Sequence, residues 1–339
     1  MYLCGTFPHS IDYNTARVVR LLVDEGRDVS IVEVGRAGAR EVDGVEVFTE
    51  PTLAHVIGRV VRLSPQLIYA QSVRSELVAL PFARRRWVHQ PEQSSTRIAR
   101  SVQNTLVRGA DVVSFSNPVA PRAWRIKPER ILSLPYPIDV AFWSHTVEPD
   151  PGWWAWQGTP PSGPVVVHIA NLYPVKQQVS MLEAIVPLLQ QRTDLTFAIA
   201  GHPVDTSIDH QLRVIAAESG VAERIRMLGG LGPDDARQLL AHAKASVINS
   251  SSETQCMTMY ESLAAGVAVA LPAVETLTAA FPDMPVHRNA VEMRNNIERL
   301  IDDPALRSKL IERAQERVAW ADVRRHDDVV KTTLARLLD

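Results

Sequence analysis

Short apolar runs alternate with longer amphipathic stretches along most of this 339-residue chain, and this alternation constrains its fold more than any other feature. The runs have the length of strands and the stretches between them have helical periodicity, which is typical of βα units in parallel sheets. We therefore predict an α/β protein. The runs are MYLCG, DVSIVEVG, QLIYA, RWVH, DVVSF and RILSL in the first half, then PVVVHIA, LTFAIAG, RIRML and ASVINS.

The alternation is interrupted at residues 143–164, which read WSHTVEPDPGWWAWQGTPPSGP. Pro and Gly disfavour helices and strands, so we predict a linker without regular structure here. Its tryptophans, Trp153, Trp154 and Trp156, are expected to pack the linker against a domain.

A chain of this length exceeds one typical core, so the interruption predicts two domains. We place a first domain at 1–145 and a second at 160–320, each a doubly wound Rossmann-like sheet, and expect the two to face one another across a cleft. The tail from about residue 290 has mostly helical periodicity. A C-terminal helix at about 322–339 is expected to pack back on the first domain.

Composition excludes several classes of protein. Charged residues make up 22% of the chain, and no apolar run approaches the roughly 20 residues needed to span a bilayer. The start of the sequence lacks the pattern of a signal peptide, so we expect a cytoplasmic protein. Cys4 and Cys256 lie in unlike contexts, which argues against a disulfide framework. No Asp-x-Asp or His/Cys cluster demands a metal ion.

Basic residues are concentrated between residues 84 and 130, where ten Arg or Lys face three acidic residues. A solvated helical face explains such an excess. The alternative is a surface that attracts an anionic acceptor or the headgroups of anionic lipids, which would place the protein peripherally at the inner face of a membrane. No basic-aromatic recognition pattern accompanies the excess, so we do not expect nucleic acid as a partner.

Two glutamates lie within SSSETQCMTMYESLAAGVAVALP, a segment that starts as a loop, becomes helical and ends as an apolar strand. Glu253 and Glu261 flank the start of that helix, with seven residues between them. Two carboxylates can hold two hydroxyl-bearing ends of one ligand, while the backbone N–H groups at the helix start bind an anion between them. This is the layout of a sugar nucleotide.

Three further residues follow predicted strands, where ligands bind in doubly wound sheets. Lys176 comes immediately before a helix, so its ammonium group can neutralise phosphate charge at that helix start. Gly201 lets the backbone approach a ligand closely. His89 ends RWVH and could contact a sugar. Each has a plainer alternative, namely a solvated lysine, a strand-ending glycine and a structural histidine.

The order NLYPVK, LTFAIAG, RIRMLGGL and the glutamate segment resembles the carboxyl-terminal half of retaining glycosyltransferases of the GT-B fold, specifically glycosyltransferase family 4. In the first half, LIYAQSVRSELVAL, RWVHQPEQS and RILSLPYPIDVAFW resemble regions of the same family. The resemblance implies a hexosyltransferase that takes a nucleoside diphosphate sugar such as a UDP or GDP sugar, without another cofactor or a metal ion. The acceptor is left open as a glycan, a lipid-linked group, a small molecule or a protein.

The resemblance also implies a role for individual residues. Glu261 would bind the ribose diol, Glu253 the sugar hydroxyls, and Lys176 the negative charge on the leaving nucleotide. His89 would contact the donor sugar near its anomeric carbon. The donor-binding set also includes Gly201 and the backbone that faces the diphosphate at Gln255, Cys256, Met257 and Thr258.

The chain departs from the family pattern in its cations. Asn171 stands where the family usually has an Arg five residues before the Lys, so one cation for the diphosphate is missing; Arg224 or Arg226 could compensate. TFPHSIDYN also replaces a glycine-rich first loop.

Three other functions stay open. A glycosyltransferase-like binding or scaffold protein with little or no turnover would explain the departures, and a GT-B epimerase acting on the sugar nucleotide is a further alternative. A nicotinamide dehydrogenase is disfavoured, because no Gly-x-Gly-x-x-Gly follows a predicted strand.

Overall fold

The computed structural model describes residues 2–4, 13–34, 36–42, 44–71, 85–89 and 97–338. The chain divides into two compact units, one formed by residues 1–137 together with 323–339 and the other by residues 138–322. Some of the predicted features lie outside the described residues. These are most of TFPHSIDYN, parts of LIYAQSVRSELVAL and RWVHQPEQS, and Arg84.

Unit 1 contains an eight-stranded sheet among its described residues, in the order β3-β4-β2-β1-β5-β6-β7-β8. Neighbouring strands are parallel except β3 and β4, which form an antiparallel pair at the edge. This hairpin is absent from the sequence prediction because β3 is exposed along its whole length and therefore lacks an apolar run. The strands are β1 Tyr2–Cys4, β2 Ser30–Val34, β3 Gly38–Val42, β4 Val45–Glu50, β5 Leu67–Gln71, β6 Arg85–His89, β7 Val112–Phe115 and β8 Ile131–Ser133.

Helices cover both faces of this sheet, as a doubly wound fold requires. Val18 and Leu21 of α1 (Tyr13–Asp24) and Leu334 of the C-terminal helix (Val323–Leu338) share one apolar cluster on the sheet. Val56 and Val60 of α2 (Leu53–Leu63) pack in a separate cluster with β2 and β5. A further helix, α3 (Arg97–Arg108), precedes β7.

The C-terminal helix is held in unit 1 by polar contacts as well as by its apolar side. Arg17 of α1 donates two hydrogen bonds to the carboxylate of Asp327, one of them of 2.7 Å from Nε to Oδ1. Next to this pair, Nε2 of the fully buried His326 lies 2.9 Å from Oδ1 of Asn14. The last helix therefore completes the first unit although it is about 300 residues away in sequence.

Replacing Asp327 with asparagine should lower the free energy of unfolding by about 1 kcal/mol, because Arg17 is partly exposed and solvent weakens the ion pair. Burial raises the pKa of Asp327, but the bonds to Arg17 outweigh this and lower it overall. The contribution should therefore be present at neutral pH and disappear as the pH falls through the folded-state pKa. Urea unfolding measures the change; equal loss in Asp328→Asn, at the exposed neighbouring position, would contradict this assignment.

Some arginines of the basic stretch at residues 84–130 donate hydrogen bonds to backbone carbonyls of unit 1. Nη2 of Arg86 donates to the carbonyl of Gly109, and Nη1 of Arg130 donates to the carbonyls of Arg108 and Ala110 at 2.8 and 3.1 Å. These carbonyls lie at the end of α3, where the helix dipole is negative. Part of the local excess of arginine therefore stabilises a helix terminus, whereas Arg122, Arg125 and Lys127 are exposed.

Unit 2 contains a six-stranded parallel sheet in the order β11-β10-β9-β12-β13-β14. Its strands are β9 Val165–Ile169, β10 Thr196–Ala200, β11 Ile225–Gly229, β12 Ala243–Val247, β13 Val269–Pro272 and β14 Val286–His287. Its α-helices are α4 Val140–Ser144, α5 Gln178–Gln191, α6 Thr206–Glu218, α7 Pro233–His242, α8 Met257–Ala264, α9 Glu275–Ala280, α10 Ala290–Asp302 and α11 Pro304–Trp320. The predicted α/β class with two Rossmann-like sheets is confirmed.

The prediction that residues 143–164 lack regular structure is wrong, since they contain a 3-10 helix at Pro151–Gln157. Asp150 caps it by accepting a 2.8 Å hydrogen bond from the N–H of Gly152. Trp154 is 1% exposed in the core of unit 2, and Trp153 Nε1 donates to Asp235 at 2.9 Å, whereas Trp156 is exposed. Two of the three tryptophans thus attach the segment to unit 2.

Candidate active site

A cavity of about 230 Å³ lies in unit 2 at the carboxyl ends of β9 and β12. Strand β12 ends at Val247, so the loop that follows it, rather than the strand, carries the polar residues of the site. The cavity brings together predicted site residues from two distant parts of the sequence. These are Asn171, Lys176, Glu253, Gln255, Cys256, Met257 and Thr258.

Lys176 and Glu253 form an ion pair in this cavity. Lys176 lies on the 3-10 turn Pro174–Lys176 that leads into α5, and its Nζ is 2.5 Å from Oε1 of Glu253. The same carboxylate oxygen accepts a 2.6 Å hydrogen bond from Oγ of Ser250. The side chain of Glu253 is 8% exposed and that of Lys176 is 21% exposed, so the pair is largely shielded from water.

The start of α8 forms another wall of the cavity. Cys256 is the N-cap residue of this helix, and its side chain makes no capping hydrogen bond. Burial, together with the negative charge of Glu253, raises the pKa of the Cys256 thiol to about 12. The thiol is therefore protonated at neutral pH, and this position can offer a ligand backbone N–H groups at a helix start rather than a nucleophilic sulfur.

Glu261 lies on α8 one turn beyond this wall and outside the lining of the cavity. Burial raises the pKa of its carboxyl group to about 7. Its carboxylate has no hydrogen bond or ion pair with the described residues. The structure therefore places Glu253 and Glu261 near the same helix start in different states, one paired with a cation and the other desolvated without a partner.

Two other predicted donor-binding residues interact with the protein backbone. Asn171 Oδ1 accepts a 3.1 Å hydrogen bond from the N–H of His202. Gly201 follows β10, and a Cβ atom there would lie 1.9 Å from the carbonyl oxygen of Ala170. The close approach of the backbone at Ala170 therefore explains why residue 201 is a glycine, and no ligand is needed for that explanation. The contact of Gly201 with the donor stays a prediction.

Arg224 and Arg226 do not line the cavity. Arg224 Nη1 donates to the carbonyls of Leu189 and Arg192, and Arg226 donates to the carbonyls of Gln157 and Thr159. Both guanidinium groups are bound elsewhere in unit 2. The structure thus gives no support to their compensating for Asn171.

His89 lies at the end of β6 in unit 1, and its ring is fully buried. Its Nδ1 lies 2.8 Å from Oγ of Ser114, which also accepts a 2.7 Å hydrogen bond from Trp87 Nε1. Its Nε2 lies 3.3 Å from Nδ2 of Asn14. These contacts give the ring a structural role, and its predicted contact with a donor sugar stays a prediction.

His168 and Ser250 are site residues that the sequence prediction missed. Nδ1 of His168 lies 2.9 Å from the carbonyl of Val247, while Nε2 lacks a hydrogen-bond partner in the part of the chain that the structure describes. Burial, with the charge of Lys176, lowers the pKa of His168 to about 4, so the ring is neutral, and the residue is among those that line the cavity. The available signal was a single polar residue within the apolar run PVVVHIA.

Metal ligation has no candidate among the described residues, since they contain no group of three His, Cys, Asp or Glu placed to hold an ion. Within the same residues, no helix is both long and apolar enough to cross a membrane.

Residues 156–317, which carry this cavity, match the family model described as glycosyl transferases group 1. Comparison with the curated proteins gave no match. Among solved structures, the chain is similar to a glycosyltransferase from Rickettsia africae, with a TM-score of 0.79 and 12% identity over 99% of this chain and 96% of that chain.

Two further solved structures are similar over nearly the whole chain. HepE from Anabaena in complex with UDP has a TM-score of 0.77 and 18% identity, covering 99% of each chain. Sucrose-phosphate synthase from Thermosynechococcus elongatus has a TM-score of 0.72 and 16% identity, covering 99% of this chain and 98% of that chain. Residues 156–317 therefore carry a domain of the glycosyl transferases group 1 family, and the whole chain shares the two-domain GT-B fold of these solved structures.

Proposed function

We propose that this protein is a retaining glycosyltransferase of family 4 that transfers a sugar from a nucleoside diphosphate sugar to an acceptor. The observation that carries the proposal is the Lys176–Glu253 pair in a cavity bounded by the start of α8. A cation and a helix start together suit a diphosphate, and a carboxylate beside them suits sugar hydroxyls. Structures of Anabaena HepE with UDP and with UDP-glucose favour UDP over GDP as the donor nucleotide.

In this reaction the bond between the anomeric carbon and the diphosphate oxygen breaks, and negative charge develops on the leaving diphosphate. The ammonium group of Lys176 stabilises that charge, so the assignment requires no metal ion. Glu253 accepts hydrogen bonds from sugar hydroxyls, and Glu261 accepts them from the ribose diol. Retention follows from attack on the same face of an oxocarbenium-like sugar, for which no protein nucleophile is needed.

Donor binding has to compete with the existing ion pair. Oε1 of Glu253 accepts from both Lys176 and Ser250, so a sugar hydroxyl and a phosphate must replace or share these bonds. The ion pair thus fixes the positions of the Lys176 and Glu253 side chains before the donor binds.

Isothermal calorimetry with UDP and GDP tests the assignment of the donor. We expect UDP to bind the wild-type protein and to bind much more weakly to Glu261→Ala. Absence of binding to both nucleotides would refute the proposal. Measuring the anomeric configuration of the product by NMR then tests retention, and an inverted product would overturn the family 4 mechanism.

A second candidate is a sugar-nucleotide-binding protein with little turnover, which Asn171 favours. Its side chain accepts a hydrogen bond from His202 and brings no positive charge to a cavity that Lys176 lines. Donor hydrolysis over hours separates the two functions. Sugar release that disappears in Glu253→Ala supports the enzyme, whereas UDP binding without release supports the binding protein.

The acceptor and the cellular location belong to the same proposal. We place the enzyme in the cytoplasm, where exposed Arg122, Arg125 and Lys127 of the basic stretch would contact anionic headgroups or an anionic acceptor. Sedimentation with anionic vesicles tests this contact. Binding that is insensitive to salt, or no binding, would remove the membrane from the proposal.

A further inference from the structure

Gln177 directly follows Lys176 and has a left-handed backbone conformation, with φ of 51° and ψ of 39°. A side chain other than that of glycine crowds the backbone in this conformation, so it persists only where the surroundings fix it. Lys176 ends the 3-10 turn Pro174–Lys176, and its N–H donates a 3.0 Å hydrogen bond to the carbonyl of Tyr173. The turn that carries Lys176 therefore ends in a conformation that neighbouring groups must hold.

Apolar packing does not fix this turn, because its large apolar side chains are exposed. Tyr173 is 41% exposed and Val175 is 39% exposed. The buried side chain of Leu172, which is 2% exposed, lies before the turn rather than in it. Polar contacts therefore have to hold the backbone on either side of Lys176.

The loop that follows β12 supplies these contacts. The N–H of Ser251 donates a 2.8 Å hydrogen bond to the carbonyl of Val175, and its Oγ donates to the same carbonyl at 3.2 Å. Nδ2 of Asn249 donates at 3.2 Å to the carbonyl of Gln177, which also accepts the 3.1 Å hydrogen bond that begins α5. Asn249 and Ser251 thus bind the backbone immediately before and after Lys176.

The same loop carries Glu253, the ion-pair partner of Lys176. Its backbone is fixed separately, since Oγ1 of Thr276 on α9 donates a 2.7 Å hydrogen bond to the carbonyl of Glu253. The Lys176 turn is therefore attached to an anchored segment. A donor that separates Lys176 from Glu253 leaves the bonds from Asn249 and Ser251 unchanged, because those bonds reach backbone carbonyls.

We propose that Asn249 and Ser251 are positioning residues for Lys176, an inference that rests on the proposed role of Lys176 in sugar transfer. Neither residue lines the cavity that contains the ion pair. In the free protein, Glu253 holds the ammonium group. Once a donor competes for both charges, the bonds from Asn249 and Ser251 keep the lysine where it meets the charge on the leaving diphosphate.

The double variant Asn249→Leu/Ser251→Ala tests this role in steady-state kinetics. We expect kcat to fall about tenfold, as for the loss of two ordinary side-chain hydrogen bonds, with a smaller change in the KM for UDP-sugar. In a Lys176→Met background the same substitutions should change kcat by no more than about twofold, because the group that they position is absent. Equal losses in the two backgrounds would overturn the proposal.

Asn295→Leu/Ser308→Ala is the matched control, because it changes an exposed asparagine on α10 and an exposed serine on α11. Ser308 also donates a hydrogen bond to a backbone carbonyl, that of Pro304, at 3.1 Å. This variant should have the kcat of the wild type. A tenfold loss in the control as well would show that the effect is not specific to the Lys176 turn.

Lysine NMR provides a readout that does not depend on turnover. The chain has five lysines, so ¹³C labelling at Cε gives few signals, and Lys176→Met identifies the signal of Lys176. We expect this signal to shift or broaden in Asn249→Leu/Ser251→Ala with UDP present, and to match the wild type in the control variant. Asn249→Ala alone repeats both measurements if the double variant does not fold.

The two readouts separate failure of this proposal from failure of the proposed function. An unchanged Lys176 signal in Asn249→Leu/Ser251→Ala would overturn the positioning role, whether or not the protein transfers sugar. A changed Lys176 signal in a protein whose wild type shows no transfer would support the positioning role and refute the proposed function.

Discussion

Lys176→Met should lower the turnover of the proposed transfer by about 100- to 1,000-fold, the usual effect of removing a group that stabilises developing negative charge. Methionine keeps most of the side chain's length and packing but cannot neutralise the leaving diphosphate. The effect should appear in kcat measured with saturating UDP-sugar. A loss confined to KM would instead mean that Lys176 only holds the substrate.

The same substitution should also lower stability. It leaves Glu253, whose side chain is 8% exposed, without its cation, which should cost about 1 to 3 kcal/mol. Adding Glu253→Gln removes the unpaired charge, so the double variant should recover most of the unfolding free energy but none of the activity. Recovery of activity together with stability would show that Lys176 acts through folding alone.

Glu261 should make UDP binding depend on pH. A ribose diol donates its hydrogen bonds best to the ionised carboxylate, whereas burial raises the pKa of Glu261 in the free protein to about 7. Binding therefore has to deprotonate the group below that pH. We expect affinity for UDP to increase about tenfold between about pH 6 and pH 8, because the ionised fraction rises about tenfold across that range.

Glu261→Gln provides the matched control, because glutamine has nearly the same shape and does not titrate. Its affinity for UDP should be about 10- to 100-fold lower at pH 8, the range for a hydrogen bond to a charged group. Any pH dependence that remains in this variant belongs to UDP itself or to other groups. If the wild type and Glu261→Gln show the same pH profile, the carboxylate does not contact the nucleotide.

The raised pKa of Glu261 also has a consequence for stability. Between the ordinary glutamate pKa and about 7, the folded protein binds more protons at this position than the unfolded chain does. The contribution of Glu261 therefore favours folding most at low pH and is lost as the pH rises toward about 7. Nucleotide binding and ligand-free stability should thus respond to pH in opposite directions.

Much of the fold could be predicted because the relevant signals are local. The apolar runs of β9 and β10 and the helical stretch of α5 are contiguous in the sequence. The exposed β3 and the capped 3-10 helix at Pro151–Gln157 were missed, since one has no apolar run and the other follows turn chemistry rather than periodicity. The site residues also differ in how well the sequence predicted them. Lys176 lies before a helix as predicted, whereas His168 was missed because it lies within the apolar run of a strand.

The sequence alone predicted two Rossmann-like α/β sheets, and it placed Lys176 before one helix and the two glutamates on either side of the start of another. The tertiary structure decided the states of these groups. It pairs Lys176 with Glu253, 77 residues away, leaves Glu261 desolvated without a partner among the described residues, and encloses His89 among hydrogen-bonding neighbours. Periodicity depends on neighbours along the chain, whereas ion pairing and desolvation depend on neighbours in space, which only the folded protein brings together.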